Sequence, residues 1–256
     1  KMTEKKYPIM EFDNKSEPLL KASSFLKNID APEHCVMTFF PEVIEKIVSE
    51  YDAKLLSSIS TVIGDIKLYE FEYNGKKIAI ASGGLGAPFA ALNMEMYAAL
   101  GCRKFMACGN GGVLDKNLHR GSVIIPDEAV RDEGTSYHYL APERTVLLDK
   151  EVVEKSRKVL ESHGISYRIG KTWTTDGIFR ETKDKIALRK QEGCLIVEME
   201  CAAFAAVAQH FGYKFGQLLG PGDDISGSDW DSRYCDEKSS HNEKLFWLAV
   251  EICTML

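Results

Sequence analysis

An α/β sandwich around a mixed sheet is the fold class this 256-residue sequence predicts. Short apolar, β-branched runs alternate along the chain with segments of helical length and period. Asn74-Gly75, between two strand-like runs, is the strongest short hairpin signal and puts an antiparallel pair into the alternating order. Every Gly-rich or acidic segment follows a strand, and ligands in such folds sit at the carboxyl ends of strands.

The elements follow in order. Residues 1–33 are polar and irregular and read as an N-terminal arm that packs on a neighbour. Residues 34–256 read as a single domain, since no Pro/Gly/Ser-rich linker and no repeat divides them. Cys35 to Phe40 is a strand, and Pro41 is placed to open a helix over Glu42–Tyr51. Lys67–Tyr73 and Lys76–Ala81 form the hairpin. The Gly-rich turn Ser82–Pro88 leads into a helix that Gly101 stops. Phe105–Cys108 is a buried strand ending in Gly109-Asn-Gly-Gly112, and Ser122–Pro126 is another strand. Glu151–His163 is an amphipathic helix, Ser166–Thr174 a strand, and a helix follows around Lys183–Glu192. Leu195–Val197 and Lys214–Leu219 are buried strands around an Ala-rich helix. An acidic loop then precedes a last helix from about Ser240.

With 45% hydrophobic and 27% charged residues the chain has ample core. A net charge of −6 gives no long-range attraction to nucleic acid or anionic lipid, though a small anion needs only a local basic site. No apolar run reaches membrane-spanning length and no signal-peptide core opens the chain. The seven Cys are odd in number, lack C-x-x-C spacing and mostly sit in apolar runs, as reduced thiols do. A cytoplasmic protein is therefore expected. The six His show no H-x-x-x-H pair, so no metal site is expected.

The chemistry concentrates in a few segments. Glu198-Met199-Glu200 stands where a buried strand hands over to a helix. Two carboxylates there are costly to bury, and the helix dipole explains one of them well and two poorly. A carboxylate at that junction can accept from the vicinal hydroxyls of a ribose, with Met199 as a soft apolar wall. The glycine turns at 82–88, including Gly84, and at 109–112, including Asn110, Gly111 and Gly112, let backbone N–H groups approach an anion or a sugar. In Thr174–Thr182, an aromatic (Phe179) can stack on a base while Arg180 and Glu181 read its edge; the alternative is a surface ion pair over a core Phe. Asp223 and Asp224 follow the last buried strand, where like charges raise one pKa as a general acid needs. A solvated turn is the plainer reading. Trp230–Arg233 either caps such a pocket or is surface.

In this order the segments resemble the nucleoside phosphorylase superfamily, in its uridine phosphorylase-like and related purine nucleoside phosphorylase branches. The resemblance runs from about Cys35 to the C-terminus. It includes Arg131-Asp-Glu-Gly-Thr-Ser-Tyr-His-Tyr139, which looks like uridine phosphorylases. It implies a three-layer α/β/α sandwich around a mixed, partly barrel-like central sheet. It implies cleavage of a nucleoside N-glycosidic bond to free base and (deoxy)ribose 1-phosphate, with inorganic phosphate as co-substrate and no organic cofactor. It implies a homo-oligomer, dimer or hexamer. By the same resemblance Glu200, with Glu198 and Met199, holds the ribose. Asn110 falls where a hydroxyl residue bridges ribose and phosphate, Gly112 lines the base, and Ile178 and Phe179 stack on it. Asp223 matches the acid that protonates a purine, which uridine phosphorylases lack, so the two substrate cues conflict.

The chain departs from the pattern at the phosphate. The arginines that hold it fall on Val43, Gly64 and Ala107, and the phosphate-loop glycine on Phe39. Arg180 and Arg131 are the candidates to replace that charge. Glu42 falls where the hydrolytic branch, the methylthioadenosine/S-adenosylhomocysteine nucleosidases, orients water; a first-turn Glu after Pro41 is the plain alternative. Hydrolysis and a catalytically silent nucleoside-binding protein therefore stand as alternatives to phosphorolysis.

Overall fold

Ten strands and six helices alternate in the computed structural model, which describes residues 4–26, 29–233 and 240–256. The strands are β1 (His34–Thr38), β2 (Lys54–Thr61), β3 (Gly64–Tyr73), β4 (Lys76–Ser82), β5 (Lys104–Val113), β6 (Val123–Asp132), β7 (Thr145–Leu147), β8 (Tyr167–Thr175), β9 (Cys194–Glu198) and β10 (Lys214–Asp224). The helices are α1 (Pro41–Glu50), α2 (Ala87–Leu100), α3 (Lys150–Ser162), α4 (Lys183–Gln191), α5 (Cys201–Phe211) and α6 (Ser240–Thr254).

All strands join one mixed sheet in the order β10-β6-β8-β9-β5-β1-β4-β3-β2, with β7 on β6. A further pairing of β10 with β5 closes β5, β9, β8, β6 and β10 into a barrel, from which β1, β4, β3 and β2 extend as an open wing. Successive residues of the central strands feed opposite faces, as a two-residue period requires. Met37, Phe105 and Phe215 pack under α2 and α5, while Val36, Met106 and Leu218 pack under α1, α3 and α6. The three layers and partly closed sheet expected from the resemblance are those observed. The alanines of α5 bury that helix almost completely, so its first turn is held hard against the sheet.

Several elements differ from their sequence reading. β2 is an exposed edge strand whose serines hide the apolar alternation, and β7 is too short to give a pattern. β6 runs past Pro126 to Asp132 because a register shift falls at Pro126/Glu128, where a missing N–H costs no ladder bond. β10 continues through Gly220–Asp224, the stretch expected to be a loop. Asn74 and Gly75 both adopt positive φ, the turn their identity demanded. In the arm, the Ile9 side chain lies against Gly134. Cys235 lies outside the described residues; the other six cysteines are buried free thiols.

Gly101 ends α2 at φ +134°, and a Cβ there would come within 2.8 Å of the Ala31 carbonyl oxygen. Gly101→Ala is expected to destabilise the fold by about 1–3 kcal/mol, read as a lower urea midpoint at constant slope.

Candidate active site

The corner between β9 and α5 organises the site. Glu198, the last residue of β9, is buried beneath the first turn of α5. Its carboxylate accepts from the backbone N–H groups of Glu200 (2.7 Å) and Cys201 (2.6 Å) and from the hydroxyls of Thr174 (2.6 Å) and Thr172 (3.3 Å). Glu198 thus satisfies the orphan donors that a helix start leaves. Glu200 has a different environment. It accepts from Gly86 N–H at 2.7 Å and from Met199 N–H at 3.3 Å. Burial pushes both carboxyls above the ordinary carboxylate range, and the Glu198 charge adds to the effect on Glu200, which rises to about 8. The donors crowded around Glu198 oppose its shift.

These groups open onto a cavity of about 440 Å³ at the carboxyl ends of β1, β5, β9 and β10. Of the residues the sequence singled out, Glu42, Asn110, Gly111, Gly112, Ile178, Glu198, Met199, Glu200 and Asp223 line it together. Gly84, Phe179 and Arg180 do not. Gly84 makes a tight turn at φ +80°, where a Cβ would strike Asn93 and Phe89. The 3-10 turn Ile178–Arg180 aims Ile178 inward and leaves Phe179 almost fully exposed. Arg131 is spent elsewhere: it is buried, donates to Ser136 and to the Ala141 and Leu140 carbonyls, and lies 4.2 Å from the Tyr137 ring centre.

Phe39 occupies the ground in front of two glycine turns. Its ring lies within 2.9 Å of where a Cβ on Gly83 or Gly109 would stand, and it packs on Phe204. Val43 and Ala107 are buried, and Gly64 begins β3 in the open wing, paired with Thr61 of β2. Among the described residues the lining carries the carboxyls of Glu42, Glu181, Glu198, Glu200 and Asp223 but no Lys, Arg or His. An anion entering it meets negative potential.

Three amides complete the wall. Asn110 donates to Asn242 at 3.2 Å, and Asn242 donates to Glu42 at 2.9 Å, which fixes Glu42 at the head of α1. Gln217 is buried on β10, and neither its amide nitrogen nor its oxygen has a hydrogen-bond partner among the described residues. A buried amide so placed is a ligand contact in waiting, because the ligand's hydrogen bonds would offset its desolvation. An amide in the apolar run Lys214–Leu219 was its sequence signal. Asn242 had none, since it reaches the site from α6.

Asp223 accepts from the Trp230 indole N–H at 2.7 Å, while Trp230 itself is largely exposed and lines neither cavity. Asp224 was expected to raise the pKa of Asp223, and it does not occupy that role. It is ion-paired with Arg233; burial pushes its carboxyl up, but hydrogen bonds from Ser226 and the Arg233 charge hold it below the usual range. The carboxyl facing Asp223 is Glu181, which burial and the Asp223 charge push up to about 7. A larger cavity of about 600 Å³ adjoins through Asn110, Gly111, Asp223 and Asn242, but it includes neither Glu198 nor Glu200.

A profile of the phosphorylase superfamily matches residues 33–251, and the chain belongs to that superfamily. It is 23% identical to a guanosine phosphorylase of Halorubrum lacusprofundi over 197 residues, covering 75% of this chain and 82% of that protein. It is 31% identical to a uridine phosphorylase of Thermococcus kodakarensis over 150 residues, 59% of this chain and 53% of that protein. A crystal structure of uridine phosphorylase from Vibrio fischeri superposes with a TM-score of 0.77 at 19% identity, covering 89% of this chain and 95% of that one, which establishes the common fold. No helix among the described residues is long and apolar enough to cross a membrane.

Proposed function

We propose that this chain cleaves the N-glycosidic bond of a nucleoside, with Glu200 on the ribose hydroxyls, Met199 and Ile178 against the apolar faces of sugar and base, and Asp223 at the base. The observation that carries the reading is the convergence of Glu198, Glu200 and Asp223 with the glycines of β5 on one cavity of small-molecule size. As the bond breaks, positive charge develops at the anomeric carbon. Carboxylates around it stabilise that state more than the neutral ground state. Names of the relatives support phosphate as the acceptor and ribose 1-phosphate as the product. No organic cofactor enters the scheme. The active form we propose is a homo-oligomer, dimer or hexamer, in which a second copy covers two exposed apolar residues, Leu85 in the cavity's lining and Phe179 next to Ile178.

One observation favours a second reading, hydrolysis. A dianion would have to sit among carboxyls without a cation from the described lining, with Phe39 over the glycine turns. Water carries no such penalty, and in this reading Glu42, which accepts from Asn242, orients it. Base release from uridine, thymidine, inosine, adenosine and methylthioadenosine, with and without phosphate, separates the readings. Release that requires phosphate establishes phosphorolysis, and release indifferent to phosphate establishes hydrolysis. Tight nucleoside binding without release from any of them identifies a silent binding protein and overturns both.

A further inference from the structure

We infer that Glu181, rather than Asp223, is the general acid that protonates the departing base, while Asp223 is a hydrogen-bond acceptor for the same base. This inference rests on the proposed cleavage reaction and deepens it.

Asp223 and Glu181 both line the cavity, and their surroundings are unequal. One oxygen of Asp223 receives the Trp230 indole N–H at 2.7 Å. The other lies 3.6 Å from where a Cβ on Gly112 would stand, so it is directed along the floor of the cavity. An indole nitrogen is a donor only, and donation to a carboxylate favours its charged form. Asp223 is therefore built to accept.

Glu181 follows the 3-10 turn that throws Phe179 and Arg180 outward, and it returns into the cavity beside Ile178. It has no hydrogen bond or ion pair among the described residues. Three of the four cations of the following helix are engaged elsewhere, Lys185 and Arg189 on Asp132, Arg189 also on Glu192, and Lys190 on the Ser226 carbonyl, while Lys183 opens the helix. The acidic group whose charge acts on Glu181 is Asp223 from β10, and Glu42, Glu198 and Glu200 share the same cavity. A half-buried carboxyl among carboxylates holds its proton, and its affinity near neutrality suits transfer at that pH.

The step balances. The Glu181 proton passes to a ring nitrogen of the base as the C1′–N bond breaks, and the bonding pair leaves with the base. The acceptor oxygen, from water or phosphate, bonds to C1′. The proton that this acceptor sheds goes to solvent, from which Glu181 is reprotonated.

The test pairs Glu181→Gln with two kinds of substrate. Ordinary nucleosides need a proton on the leaving base; p-nitrophenyl β-D-riboside and 7-methylguanosine do not. Glu181→Gln is expected to lose roughly 100-fold or more in kcat on ordinary nucleosides. On the activated substrates it should stay within about threefold of wild type, which also shows that the variant is folded. Equal losses on both kinds overturn the inference, as does undiminished cleavage of ordinary nucleosides. So does a wild type that cleaves an ordinary nucleoside but neither activated one. A wild type that cleaves nothing in either set overturns the proposed reaction itself.

Discussion

Glu198→Ala is expected to be the most destabilising substitution in the site, costing about 3–5 kcal/mol of folding free energy. The carboxylate receives four hydrogen bonds in a buried corner. Thr172 keeps a second partner, the Ile196 carbonyl at 3.1 Å. The N–H groups of Glu200 and Cys201 and the Thr174 hydroxyl proton have no replacement acceptor once the side chain is cut back. Each orphaned donor costs on the order of 1–3 kcal/mol, which outweighs the relief of not burying a charge. Glu198→Gln keeps one acceptor oxygen and should lose less. Urea unfolding of both variants checks the order, and an alanine variant as stable as wild type would show that the corner is held by something else.

Glu200→Gln should do the opposite, gaining stability at high pH. Its carboxyl is buried against the Glu198 charge and titrates at about 8 in the folded chain, against 4.5 for an unperturbed glutamate. Because the folded-state value is raised, its contribution is fully present in acid and is lost as pH rises from about 4.5 to about 8. Gln is a neutral isostere and has no such loss. The two proteins should therefore unfold together near pH 5, and the variant should melt several degrees higher above pH 8. A gap that shrinks with rising pH would mean that Glu200 is held ionised, and the charge assignment of the corner would be reversed. Two carboxylates one residue apart thus serve different ends: Glu198 builds the turn, and Glu200 is kept at a cost in stability, as binding groups often are.

Much of this was legible from residue order. Apolar runs located β1, β4, β5, β9 and the start of β10 because central strands are buried on both faces. The Ala-rich segment after Glu200 located α5. What escaped was what pairing decides. β2 is stabilised by its neighbour β3 rather than by its own pattern, and Gly220–Asp224 reads as a turn until β5 lies alongside it. In the site, the V-E-M-E corner was readable because buried charge is costly enough to be conspicuous. Within Ile178–Glu181, sequence placed all four residues at the base, whereas the 3-10 turn brings only Ile178 and Glu181 to the cavity. Direction within a short turn depends on dihedral angles that composition does not specify. Asn242 comes from α6, far from β5 along the chain, and only the folded chain brings it to Asn110.

The measurement closest to the central claim is base release by wild type and Glu200→Ala side by side, on whichever nucleoside of the panel is turned over fastest. The account predicts release by the wild type and a fall of about a thousandfold in kcat/KM in a variant that remains folded. Equal rates in the two proteins would remove Glu200 from the reaction, and with it the assignment of this cavity as the place where the glycosidic bond is broken.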